Sequence, residues 1–132
     1  MNFLIDTNIC IYILNQRPKK VIDKFENYNS GQIGISSITI AELEYGAKKS
    51  SRVNENLERL ELFLFPFEIF PFDAVCAKYY GDIRSRLEIE GCVIGQLDML
   101  IAAQALSKRL TLDTNNQKEF SRIKNLKLEN WV

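Results

Sequence analysis

The sequence contains no histidine. This absence excludes the Ser-His-Asp and Cys-His nucleophilic systems, histidine acid–base ribonuclease chemistry and histidine-based zinc sites. The three cysteines, Cys10, Cys76 and Cys92, are odd in number and too widely spaced to be paired metal ligands. We expect them to be reduced core thiols. If the chain is an enzyme, carboxylates therefore carry its chemistry.

The sequence also lacks an apolar run long enough to cross a membrane, and no basic region precedes its first apolar segment. We therefore expect a cytoplasmic protein that is not bound to a membrane. Seventeen basic and seventeen acidic residues cancel, so nucleic acid would have to be bound by a local patch or through a partner. The absence of Walker and dinucleotide glycine motifs argues against a nucleotide cofactor.

What the sequence does contain is a regular alternation of short apolar runs and helical patterns along 132 residues. The apolar runs predict strands at residues 3–5, 32–36, 68–70, 110–113 and 127–131. Helical periodicity fills the intervals, including a long helix from Asp73 to Gly91 and a short one over 117–122. The alternation predicts a single α/β domain over residues 1–132. Its central parallel sheet of four to five strands would be covered by helices on both faces.

Asp6 ends the first apolar run, and a helical pattern that Thr7 or Asn8 would cap begins immediately after it. An aspartate in this place is ordinarily just a capping residue. It also stands at the carboxyl end of a predicted strand, where ligands bind in open α/β sheets. Only the rest of the chain can decide whether Asp6 is a capping residue or part of a ligand site.

Two further acids occupy matching positions at the start of predicted helices. Glu42 follows Thr39 at the spacing of a capping box, which is its simplest explanation. Asp98 lies in the first turn of an apolar helix, where the helix dipole favours a carboxylate. Facing such a core, however, the Asp98 carboxylate would be costly unless it is paired or bound to a metal.

Three acids at the openings of successive strand–helix units can converge at one edge of the sheet. Their mutual repulsion would be relieved by a divalent cation, and an all-oxygen ligand set suits Mg²⁺, with Mn²⁺ as the alternative. Such ions activate water and neutralise charge on a phosphoryl group during transfer. The pattern therefore favours phosphodiester hydrolysis.

The sequence resembles the PIN-domain ribonucleases, and more closely the VapC toxins of bacterial toxin–antitoxin pairs. The resemblance covers the whole chain and is carried by the order and spacing of five segments, 4–8, 37–46, 95–103, 114–120 and 126–131. It implies a PIN-like parallel sheet, with Asp6, Glu42 and Asp98 as an acidic, metal-binding cluster. It also implies that Thr7 or Asn116 hydrogen-bonds this cluster, with Asn8 and Thr114 as further supporting residues.

The fourth acidic position of the family falls in the segment Thr114-Asn-Asn116, where this chain has an amide instead of an acid. Glu119, close behind, is the better candidate, because the turn can swing the following helix toward the metal. Asp113 stands where VapC proteins usually have an apolar residue. Strand alternation predicts that it points away from Thr114, so its carboxylate would need a basic or hydroxyl partner.

The resemblance also implies the partners of the chain. These are an RNA substrate, a second copy of the chain, and a VapB-type antitoxin whose C-terminal segment covers the acid pocket with an arginine. The antitoxin, rather than this chain, would bind operator DNA. Related toxins cut tRNA anticodon loops or ribosomal RNA, and the sequence does not distinguish these targets or one metal ion from two.

Two other functions compete with the nuclease. A phosphoacceptor domain using Asp6 would need a neighbouring acid pair and a partnering lysine, and neither is evident in the sequence. A catalytically silent module that only helps a partner to repress transcription would keep the fold without the chemistry. Metal-dependent cleavage of RNA separates the first function from both.

Overall fold

The computed structural model describes residues 3–132, in which five parallel strands form one sheet. The strands are β1 (Phe3–Ile5), β2 (Ile33–Ser36), β3 (Glu68–Phe70), β4 (Thr111–Asp113) and β5 (Leu128–Glu129). Their spatial order is β3-β2-β1-β4-β5, so β1 lies at the centre. The predicted parallel sheet is confirmed. Pro66 and Pro71 flank the edge strand β3, so their missing N–H groups interrupt no hydrogen-bonded ladder.

Within residues 3–132, seven α-helices connect and cover the strands. They are α1 (Thr7–Leu14), α2 (Lys19–Glu26), α3 (Ser37–Lys48), α4 (Val53–Leu64), α5 (Ala74–Glu90), α6 (Gln96–Lys108) and α7 (Gln117–Phe120). The limits of α5 are those predicted, since the Asp73 side chain accepts from the Cys76 N–H at 3.0 Å and Gly91 ends the helix at φ 71°.

Helices lie on both faces of the sheet and enclose two cores. One core, beneath α5 and α6, includes Leu4, Leu87, Met99, Ile101 and Leu112. The other, beneath α1, α2 and α4, includes Ile5, Ile9, Ile35, Leu60 and Trp131. Within the described part of the chain, no helix has both the length and the apolar character needed to span a bilayer.

The register of the two central strands decides which polar side chains share a face. Ile5 lies opposite Asp113 in the parallel pair β1–β4, and Ile5 belongs to the core beneath α1. Because side chains alternate along a strand, Asp113 points to that core as well. Asp6 and Thr114, one position further along, follow the opposite alternation toward α6.

Several predicted element limits were too long by one to three residues. Gln32 closes a short 3-10 helix (Ser30–Gln32) instead of opening β2. The Leu110 N–H bonds to the Ala105 carbonyl at 2.9 Å, so it completes the end of α6 and β4 begins one residue later. Both limits were missed because the competing helix-end hydrogen bonds leave no trace in apolar periodicity.

Candidate active site at the carboxyl edge of the sheet

Asp6 is both the cap of α1 and a buried acid at the end of the central strand. Its Oδ1 accepts from the Ile9 N–H at 2.9 Å, and only 5% of the residue is exposed. The helix begins at Thr7, so the expectation that Thr7 or Asn8 caps it was wrong. Capping therefore occupies one carboxylate oxygen of Asp6.

The environment of Asp6 opposes its ionisation only in part. Burial raises its pKa, and the negative charge of Glu42 acts in the same direction. The Thr114 hydroxyl and the backbone N–H groups of Ile9 and Asn8 lower the pKa by stabilising the charged form. The predicted supporting residues Thr114 and Asn8 are thus at Asp6, although Asn8 contributes its backbone and not its exposed side chain.

Glu42 reaches the same edge from α3. Its Oε1 accepts a hydrogen bond of 2.6 Å from the Thr7 hydroxyl, which also lies 3.3 Å from the Thr39 hydroxyl. The capping-box explanation of Thr39 and Glu42 was wrong, because Ser36 is the N-cap of α3 and bonds to the Ile38 N–H at 2.9 Å. Glu42 is therefore free of any capping role and is tied to the residue beside Asp6.

Asp98 stands in the first turn of α6, which Gly95 begins without a side-chain cap. A Cβ at Gly95 would lie 3.4 Å from Asp98 Oδ2, so this position lies directly beside the carboxylate. Burial raises the Asp98 pKa to about 6, and the charges of Asp6, Glu119 and Glu42 add to the effect in that order. Four acids from four elements therefore influence one another at this edge.

Glu119 approaches the cluster from the turn after β4. The Asn116 side-chain amide donates to its Oε2 at 3.1 Å, while the Asn116 backbone N–H donates to the Thr114 hydroxyl at 2.9 Å. Asn116 therefore does not replace the missing acid directly but holds Glu119 in place. The charge of Glu119 adds to the effect of burial in raising the Asp98 pKa.

Asp113 is buried completely on the other side of the sheet. Its Oδ1 accepts from the Trp131 backbone N–H at 3.1 Å, and its Oδ2 has no hydrogen-bond partner among residues 3–132. The expected basic or hydroxyl partner was wrong, because the C-terminal backbone takes that place. Burial raises the Asp113 pKa to about 8, so below that pH the neutral acid predominates.

The donor set of the cluster fits a hard divalent cation. All its side-chain donors are oxygens, and Asp98 carries a raised pKa that neighbouring negative charge helps to produce. Within residues 3–132, however, no three acidic or cysteine side chains converge closely enough to form a preformed metal site. A divalent cation bound here would offset the repulsion between these carboxylates.

A family model for the PIN domain matches residues 3–126. A ribonuclease VapC2 of Rickettsia felis is 46% identical over 132 residues, covering 99% of this chain and 98% of that protein. The chain is a PIN domain of the VapC ribonuclease family. Membership of this nuclease family implies a requirement for a divalent metal, which the oxygen-only VapC cluster described above is suited to bind.

Two further relatives extend the comparison. A protein of Shigella flexneri named tRNA(fMet)-specific endonuclease VapC is 40% identical over 131 residues, covering 99% of this chain and 98% of that one. The solved structure of VapBC2 from Rickettsia felis, bound to a DNA fragment from its promoter, contains a chain that is 44% identical. That chain matches over the full length of both with a TM-score of 0.91.

Sequence reasoning missed two features of the VapC site. Thr39 was assigned to a cap, whereas its buried hydroxyl lies against Thr7. Gly95 received no role at this edge, whereas it lies directly beside the Asp98 carboxylate. The spacing of Thr39 and Glu42, three residues apart on one helix face, was the available signal for the first.

Proposed function

We propose that this VapC chain is a Mg²⁺-dependent endoribonuclease, the toxin of a toxin–antitoxin pair, and that it hydrolyses RNA phosphodiester bonds. The observation that supports this most is that Thr7 joins the Glu42 carboxylate to the residue beside Asp6, at the edge where burial, followed by the charges of Asp6, Glu119 and Glu42, raises the pKa of Asp98 to about 6. The names of its relatives describe RNA-cleaving enzymes. Mn²⁺ is the alternative ion, because both ions prefer oxygen ligands.

Each acid has a distinct role in this proposal. Asp6 and Asp98 hold the ion, and Glu42 holds it or orients the attacking water. Thr7 keeps the Glu42 carboxylate in place through its 2.6 Å hydrogen bond. A bound cation would activate water and neutralise charge that develops on the phosphoryl group.

Glu119 is the fourth acid of the proposed site. Its attachment to Asn116 leaves its other oxygen free to approach the ion or the water. Because the Asn116 backbone is in turn held by the Thr114 hydroxyl, the turn after β4 is linked to Asp6. This linkage supports roles for Asn116 and Thr114 as positioning residues, without direct contact with the RNA.

A VapB-type antitoxin is the proposed inhibitor. A groove of ≈ 260 Å³ runs between α1, α3 and α4, with Glu42 on its wall and the apolar side chains of Ile11, Leu43 and Leu60 along it. An amphipathic C-terminal segment of the antitoxin fits such a groove, with an arginine directed at the acid cluster. DNA would be bound by the antitoxin.

The assembly and location of the chain complete the proposal. We propose a cytoplasmic homodimer in which residues 1–132 form one PIN domain, within a larger toxin–antitoxin assembly. Light scattering of the purified chain should give twice the monomer mass across micromolar concentrations. A strictly monomeric species over that range would contradict the dimer without affecting the nuclease.

Cleavage of labelled single-stranded RNA during titration with Mg²⁺, and separately with Mn²⁺, tests the function. Purified chain freed from antitoxin should cut only when the ion is present, and a chelator should stop the reaction. The Asp98→Asn variant, prepared identically, controls for contaminating nuclease. If folded wild-type protein cuts nothing with either ion, the catalytically silent co-repressor replaces the enzyme as the better account.

The RNA target is a separate question. One relative carries the name of a tRNA(fMet)-specific endonuclease, and the other is named only as a ribonuclease. Mapping the new RNA ends in total cellular RNA after induction of wild-type chain and of Asp98→Asn would identify the target. Ends that appear only with the wild type are its products.

A further inference from the structure

A second cleft lies apart from the acid cluster, between α5, the end of α6 and the segment that follows α7. Its volume is ≈ 300 Å³. Ile83 and Leu87, both buried, form part of its apolar floor. We propose that this cleft binds the phosphodiester backbone of single-stranded RNA that flanks the cleaved bond, an inference that rests on the proposed ribonuclease function.

The charge of the cleft is the first argument. Arg86, Arg122 and Lys124 line it, and none of the three forms an ion pair with any of residues 3–132. Asp82 is the one acid among the lining residues, so the local charge is about two positive in a chain whose total is zero. A neutral chain needs such a local patch to hold nucleic acid.

The cleft also offers a surface for a base. Tyr79 lines it and is 39% exposed, so its ring is accessible to a base. Cations that track the backbone, combined with an aromatic face for stacking, are the two elements of sequence-tolerant single-strand binding. An acidic peptide would use the cations but would gain little from Tyr79.

The position of the cleft relative to the acids is the third argument. The Arg122 backbone N–H bonds to the Glu119 carbonyl at 3.1 Å, so the two residues are one turn apart. The Arg122 guanidinium also reaches the Val93 carbonyl at 3.5 Å, two residues before the glycine beside Asp98. An RNA strand crossing the acid cluster would therefore meet Arg122 on leaving it.

The acid cluster provides a physical reason for basic side chains nearby to take part in RNA binding. Four carboxylates repel the phosphates on either side of the reacting one, even when a cation offsets part of their charge. Cations nearby compensate for that repulsion and fix the direction of the strand. The cleft would then raise affinity for long RNA more than for RNA that spans only the cleaved bond.

Salt-dependent binding of a long single-stranded RNA tests the inference. The full chain is used in an Asp98→Asn background so that the RNA stays intact, and the cleft variant is Arg86→Gln/Arg122→Gln/Lys124→Gln. Each phosphate contact on a single strand contributes about 0.7 to the slope of log affinity against log salt, so losing three should lower the slope by roughly 2. Affinity at low salt should fall at least about tenfold.

A matched control removes the same charge elsewhere. Lys19→Gln/Lys20→Gln/Lys78→Gln lies outside the cleft on exposed positions and should leave the slope nearly at its original value. Arg86→Lys/Arg122→Lys, which keeps the charge, should restore most of the slope. Equal slopes for the cleft and control variants would overturn the inference, even if one of them unfolds more easily.

Two further measurements distinguish a failure of the RNA-binding inference from a failure of the proposed ribonuclease function. If the cleft variant keeps its RNA slope but loses affinity for the antitoxin, the cleft is a protein-binding site and the inference is wrong. Cleavage by wild-type chain is measured separately on long and short RNA, and the cleft variant should lose more kcat/KM on the long one. Absence of any wild-type cleavage contradicts the proposed function, whereas an unchanged salt slope contradicts the cleft alone.

Discussion

Asp98 and Asp113 are two carboxylic acids whose pKa is raised by burial, to about 6 and about 8, and they lie on opposite sides of the same sheet edge. Asp98 is half-buried among other acids, whereas Asp113 is fully buried against the C-terminal backbone. Several other carboxylates lie near Asp98, whereas Asp113 is protonated and neutral below about pH 8. The comparison shows that two acids near one sheet edge can differ in role, since Asp98 on α6 is a proposed metal ligand and Asp113 on β4 is a neutral structural acid.

Asp98 and Asp113 differ in the groups that surround their carboxyl groups in place of water. Asp113 has one backbone donor and an oxygen without a partner in the described chain, so protonation is its least costly state. Asp98 retains some contact with solvent and has three acidic neighbours, so a cation can stabilise its charged form. A raised pKa alone therefore does not identify a catalytic acid.

The largest expected effect comes from removing a proposed metal ligand. Asp98→Asn, Asp6→Asn and Glu42→Gln should each reduce RNA cleavage by at least roughly a hundredfold, because each removes charge that the cation needs. Without metal, the variants should be no less stable than wild type, since repulsion is relieved. Cleavage assays and thermal melts measure the two effects, and normal cleavage by all three variants would contradict the site.

A smaller effect is expected at the fourth acid. Glu119→Gln should lower cleavage or metal affinity by about tenfold, in the range found when groups around a metal site are changed. Asn116 can still hold the glutamine carbonyl oxygen, so the fold is preserved. Lys118→Gln, a neighbouring exposed charge change, is the matched control for cleavage rate and Mn²⁺ titration. Equal behaviour of the two variants would remove Glu119 from the site.

Asp113 should affect stability instead of cleavage. Asp113→Asn keeps the acceptor for the Trp131 N–H, which Asp113→Val would leave unpaired. The folded pKa lies above the unfolded value of 3.8, so the folded state holds an extra proton between about pH 4 and 8. Wild-type stability is therefore highest below this window and declines as pH rises through it.

Comparing Asp113→Asn with wild type isolates this decline of stability with pH. Asp113→Asn should remove up to about 1.4 kcal/mol per pH unit of the fall in unfolding free energy, most clearly between about pH 5 and 7. Denaturant unfolding of both proteins at several pH values measures the difference. Parallel stability curves would mean that Asp113 does not change its protonation on folding.

The smallest expected effect is a change of metal affinity with pH. Asp98 must lose its proton to bind a cation, and its pKa of about 6 lies above the usual value of 3.8. Metal affinity should therefore increase as pH rises from 5 to 7, opposite in sign to the stability decline caused by Asp113. Calorimetric titration with Mn²⁺ at both pH values would show the trend, and equal affinities would contradict it.

Local sequence signals were sufficient for most of the fold. Asp73 and Gly91 fixed the ends of α5 because a cap and a left-handed glycine act within a few residues. The positions of Asp6, Glu42 and Asp98 followed from the rule that strand ends converge in a parallel sheet. That these acids form one metal-binding site stays a prediction of the family resemblance.

The features that escaped prediction depend on contacts between distant segments. The partner of Asp113 is a backbone N–H eighteen positions away, which no periodicity reveals. Thr39 meets Thr7 across 32 positions. The basic cleft combines Arg86 with Arg122 and Lys124, so its charge emerges only after α5 and the segment beyond α7 pack together.

The central claim is that the Asp98 side of the sheet edge binds a divalent cation and the Asp113 side does not. Thermal melts at pH 7 with and without Mn²⁺ test it directly on wild type, Asp98→Asn and Asp113→Asn. The account predicts metal-induced stabilisation of wild type and of Asp113→Asn, and none of Asp98→Asn. Stabilisation that persists in Asp98→Asn but disappears in Asp113→Asn would contradict it.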